Sequence, residues 1–109
     1  MNDVRITVMR IVRHDDLIAA YEAYEPDPCT MREGLTFMAR AGERPDGLCD
    51  SAWETLEPFV RALARGEEGP RGFYDGWMRD PRSAMLSCND GFRPVSFLLE
   101  ALAGDDCDR

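Results

Sequence analysis

The sequence predicts an α+β domain: one small, mostly antiparallel sheet of about four strands, with two or three helices on one face. Three observations carry that expectation. Near the N-terminus, "VRITVMRIV" alternates apolar and polar residues with the period of a half-buried strand. In the middle, "CDSAWETLEPFVRALARG" repeats its apolar positions at helical spacing. Towards the C-terminus, "SAMLSCNDGFRPVSFLLE" reads as two apolar strands around a turn.

Val4–Val12 is the first strand. "HDDLIAAYEAY" then has acidic residues in its first turn, with Leu17, Ile18, Tyr21 and Tyr24 at helical spacing, and predicts a short helix. "EPDPC" ends it, because each proline drives the preceding residue towards extended geometry. Gly34–Arg40, "GLTFMAR", is the second strand, and "AGERPDG" is turn-rich. The main helix follows. Ser51 with Glu54 three residues on forms a capping box; Trp53, Leu56, Val60, Leu63 and Ala64 make the apolar stripe; Gly66 supplies the stop. Pro58 inside it predicts a kink or a break into two pieces. A glycine- and proline-rich loop with Phe73, Tyr74 and Trp77 leads to the hairpin, where Asn89, Asp90 and Gly91 are residues that tolerate positive φ in a tight turn. Residues 1–104 read as one domain, and residues 105–109 as an acidic tail.

Composition narrows the chemistry. The net charge of −8 repels phosphate backbones, so nucleic acid is not an expected partner. No apolar run approaches the ~18 residues of a membrane span, and the N-terminus has no signal-peptide core, so a cytoplasmic protein with reduced thiols is the expectation. All cationic side chains are arginine; without lysine there is no side-chain Schiff base and no Walker-type phosphate loop. The lone histidine, His14, excludes the two-histidine zinc-protease helix.

Four cysteines stand at positions 29, 49, 88 and 107. Cys29 closes "EPDPC", Cys49 precedes the main helix, and Cys88 closes a strand, so all three sit at element ends where a folded sheet gathers its loops. Three readings compete. Free cysteines often merely fill core. Disulfides need an oxidising compartment. A thiolate metal site is the third, and the spacing C-x₁₉-C-x₃₈-C suits one assembled by the whole fold rather than a zinc knuckle built from close pairs. Three ligands leave a coordination position open, as catalytic metals require. Zinc fits, and so does an iron–sulfur cluster with one iron free for substrate; the lack of a close cysteine pair puts the cluster ahead. Cys49 gains from its address, since a helix N-terminus favours a thiolate.

"DPCTMREGLTF", "RPDGLCDSAWETLEPFVRALARG" and "SCNDGFRPVSFLLE" together resemble a family of small bacterial and archaeal proteins of unassigned function. That family has an early cysteine before a glycine-led strand, a second at a "GxC-x-x-A-[WF]" helix start and a third in "C-x-D-G-x-R-P-V-x-F". The resemblance spans residues 3–100 and implies that Cys29, Cys49 and Cys88 form one shared site, with Cys107 outside the pattern. Many relatives read "C-P-x-G-H" at the first motif, whereas Cys29 here is followed by Thr30, Met31 and Arg32 with no histidine.

Around these thiols, Asp50 and Asp90 are candidates to handle protons beside a metal-bound substrate, although helix-start and turn roles also account for them. Arg93 can bind a substrate carboxylate through its fork of donors or stand in a surface ion pair. His14 suits a fourth ligand, a base or a helix cap. The aromatic loop suits a lid or a packing role. Ser51 has no evident base and is explained by capping. The expected function is a small-molecule enzyme whose metal acts as a Lewis acid on a small polar substrate, with a homo-oligomer or a pathway protein as a further partner left open. Two rivals stand beside it: an accessory protein whose metal only holds the fold, with Cys107 as a fourth ligand, and a metal-free thiol protein.

Overall fold

Alternation near the N-terminus becomes β1, Val4–Ile11, with Val4, Ile6 and Val8 buried and Arg5, Met9 and Arg10 exposed. The computed structural model describes residues 1–26, 29–70 and 74–102. β2 spans Thr36–Ala39, β3 Ser83–Ser87 and β4 Val95–Ala101. The four strands form one antiparallel sheet in the order β2-β1-β4-β3, the α+β architecture that the element order predicts. In β4 the same period of two buries Val95, Phe97 and Leu99 and turns Ser96, Leu98 and Glu100 to the other face. There Glu100 pairs with its cross-strand neighbour Arg5 at 3.0 Å.

α2, Asp50–Ala64, lays its stripe on the inner face. Leu56, Val60 and Leu63 are fully buried against Ile6, Val8, Phe97 and Leu99, each such side chain contributing about 1.5–3 kcal/mol over exposure. The helix differs from expectation at its start. Trp53 donates its N–H to the Cys49 carbonyl, so Cys49 occupies the N-cap position and Ser51 lies inside the first turn. The capping box does not form; Glu54 instead accepts a hydrogen bond from Asn89, at 3.1 Å, across to the β3–β4 connection. Pro58 does not divide the helix, which runs as one element. Its end is as expected: Gly66 takes φ of +87° and Glu67 donates back to the Ala62 carbonyl.

Two other expectations are corrected. α1 is Asp15–Tyr21, shorter than "HDDLIAAYEAY" because the chain turns extended at Glu22, whose carboxylate is drawn to Arg93. None of its residues is buried, and Leu17, Tyr21 and Tyr24 are exposed. The β3–β4 connection is not the tight turn expected over Asn89, Asp90 and Gly91. It spans residues 88–94, has no positive φ, and is closed by Asp90 Oδ1 accepting the N–H groups of Phe92 and Arg93. Tyr74 and Trp77 pack on Phe59 of α2 with ring centroids 4.9 and 6.5 Å away, so these two aromatics of the loop pack against the helix; Phe73 and the tail 105–109 lie outside the described residues. Among the described residues no helix is long and apolar enough to cross a membrane.

Candidate functional site

Antiparallel order decides where the loops go. β1 and β3 finish, and β2 and β4 begin, at the same end of the sheet. α2 also begins there, because its Glu54 meets Asn89 beyond β3 while Leu63 meets Asn2 at the start of β1. Cys88 follows β3, Cys49 precedes α2 and Cys29 lies on the approach to β2, so three cysteines far apart in sequence face one region.

They line a single cavity of about 310 Å³. Buried Met31, Val95 and Phe97 supply apolar wall; Thr30, Ser51, Glu25, Asp90 and Arg93 supply the polar part. This volume is at the small end of the range for ligand pockets, ~300–1,000 Å³. The thiols grade inward: Cys29 is exposed, Cys49 half-buried and Cys88 buried.

Each sulfur has a polar neighbour. Cys29 Sγ accepts the Met31 N–H at 3.4 Å. Cys88 Sγ accepts the buried Val95 N–H, also at 3.4 Å. That second bond departs from strand geometry: Cys88 N–H still donates to the Val95 carbonyl, but the return bond goes to the side chain rather than to the Cys88 carbonyl. Cys49 Sγ lies 3.7 Å from Ser51 Oγ, a contact made possible because Ser51 is not the cap. Donors aimed at sulfur complement negative charge there and help set the properties of metal–thiolate centres. As placed, no three His, Cys, Asp or Glu side chains among the described residues are arranged as ligands of one metal ion. The thiols flank the cavity instead of meeting at a point.

Comparison with family models, with curated proteins and with solved structures returned no match. The site is therefore read from its own residues.

Of the candidates beside the thiols, Asp90 and Arg93 line the cavity and Asp50 does not. Asp50 is the first residue of α2, almost fully exposed, and pairs with Arg44 at 2.6 Å. Asp90 holds its own turn through Oδ1. Arg93 donates from Nη1 and Nη2 to the two carboxylate oxygens of Glu22, both at 2.8 Å, in a pair whose side chains are only 16% and 13% exposed. The Arg93 hydrogen bond, opposed by partial desolvation, holds the Glu22 carboxyl below its ordinary range. His14 takes the N-cap position of α1 without a side-chain capping bond and is not part of the cavity wall. Sequence reasoning missed Glu22, seventy-one positions from Arg93, and no local signal marks it. It also missed Met31, whose flanking Thr30 and Arg32 resemble an ordinary loop.

Proposed function

We propose that this chain is a three-cysteine thiolate protein in which Cys29, Cys49 and Cys88 hold an iron–sulfur cluster or a zinc ion and serve a small-molecule reaction. One observation carries the reading: three cysteines from separate parts of the chain line one cavity, and each sulfur has an N–H or O–H neighbour. The donor set fits soft or borderline metals, since thiolates are their preferred ligands. A volume of about 310 Å³ and the absence of a close C-x₂₋₄-C pair favour a cluster over a lone ion.

When bound, such a centre with one position free supplies a Lewis acid to a polar substrate. The chain's own residues do the rest. Met31 and Val95 amides steady two sulfurs, and Met31, Val95 and Phe97 keep one wall dry. The Glu22–Arg93 pair ties the segment leading to Cys29 against the turn that follows Cys88. Asp90, which with Glu25 is a carboxylate of the cavity wall, is our candidate to exchange a proton with a bound ligand; Asp50, exposed and paired with Arg44, is not. A reducing, cytoplasmic setting suits three free thiols.

Anaerobic purification followed by an absorption spectrum and iron, sulfide and zinc analysis tests the reading. A broad band near ~400 nm with iron and sulfide marks the cluster; colourless protein with stoichiometric zinc marks the ion. Protein that carries neither, and takes up neither on reconstitution under reducing conditions, refutes the proposal in favour of a metal-free thiol protein.

A further inference from the structure

We infer that the three-cysteine cavity admits a positively charged ligand, a small ammonium compound, in preference to a carboxylate or phosphate. The inference rests on the thiolate reading for what holds the site and adds what the site selects.

Among the described residues of the cavity wall Arg93 is the one cation, and its charge is already balanced: Nη1 and Nη2 are bound to Glu22 in a largely covered, charge-neutral pair. A carboxylate ligand beside Arg93 would put a second negative charge against a cation that Glu22 already neutralises, in a place largely held away from water. The other charged residues of the wall, among the described residues, are Glu25 and Asp90. Glu25 lies 4.0 Å from Arg13, which also pairs with Asp15, so this trio keeps a net negative charge. Asp90 uses Oδ1 for its turn, and Oδ2 takes no hydrogen bond from the described residues. Three thiolates also outnumber the charge of a divalent centre. The chain as a whole carries −8. Cofactor ligands, cavity wall and long-range field thus share one sign, which concentrates cations and repels anions. An ammonium brings three donors and no acceptor; Asp90 Oδ2 and the hydroxyls of Ser51 and Thr30 are the matching acceptors in the wall.

Ethanolamine and glycolate test this directly, being alike in size and opposite in charge. Each is titrated into the full-length chain, as purified and after metal loading, while the amide signals of Thr30 and Val95 are followed by NMR. Ethanolamine is expected to bind at least about tenfold more tightly. Asp90→Asn keeps the oxygen that closes the turn, and is expected to weaken ethanolamine several-fold without weakening glycolate. Equal or tighter binding of glycolate overturns the inference, as does a failure of both to shift the cavity amides. Metal content measured on the same samples separates the two claims. A chain that binds no metal yet prefers ethanolamine refutes the thiolate centre alone, and a metal-loaded chain that prefers glycolate refutes charge selection alone.

Discussion

Replacing Cys88 by alanine and, separately, by serine asks whether its sulfur is an acceptor or only a space-filler. The Val95 N–H that donates to it is buried. Alanine removes the acceptor and leaves that N–H unsatisfied, at about 1–3 kcal/mol. It also forfeits burial of one heavy atom, comparable to a methylene at about 0.8 kcal/mol, for a total of about 2–4 kcal/mol. Serine keeps an acceptor near the same place and pays mainly for burying its hydroxyl, so we expect it to be more stable than alanine by about 1 kcal/mol. At this size that gap is about 4 °C in Tm, against a total stability of about 5–16 kcal/mol. The assay is thermal and urea unfolding followed by far-UV circular dichroism, under reducing conditions with a chelator, so that metal binding does not enter. If sulfur merely packs, the order reverses, because an apolar methyl suits a core better than a hydroxyl does. Alanine equal to or more stable than serine therefore refutes the hydrogen-bonded thiol.

Glu22→Gln should remove an acid-dependent part of stability. The native carboxyl is held below 4.5, so the wild type gains from the pair fully above that value and loses it as pH falls through the native pKa. The wild-type advantage in Tm is expected to be largest above pH 5 and to shrink on acidification; a difference that does not vary with pH contradicts the assignment. Gly69→Ala places a methyl 2.9 Å from Tyr74 Cβ, and is expected to cost about 1–3 kcal/mol and to shift the emission of Trp77, whose ring packs at a tilt on Tyr74 with centroids 5.1 Å apart. An unchanged spectrum and Tm would show that the loop does not rest on this contact.

Much of the fold was legible because strands and the main helix bury one side each. Val4, Ile6 and Val8, then Val95, Phe97 and Leu99, announce their faces by alternation, and Leu56, Val60 and Leu63 by helical spacing. What misled were local signals outbid by distant partners. Ser51 and Glu54 fit a capping box, yet Asn89 claims Glu54 and the N-cap position falls on Cys49. Asn89-Asp90-Gly91 looked like a tight turn, but the Asp90 side chain closes a longer one. That Cys29, Cys49 and Cys88 line one cavity could be anticipated from their places at element ends, since antiparallel strands return those ends to one side. The Glu22–Arg93 pair could not, because nothing in a helix-end glutamate points across the molecule to a particular arginine.

Metal bound per chain across four single substitutions tests the central claim most directly. With protein purified anaerobically and assayed for iron, sulfide and zinc, Cys29→Ser, Cys49→Ser and Cys88→Ser should each lose most of the metal, while Cys107→Ser should retain it. Retention in any of the first three, or loss in the fourth, would contradict a centre built from those three cysteines.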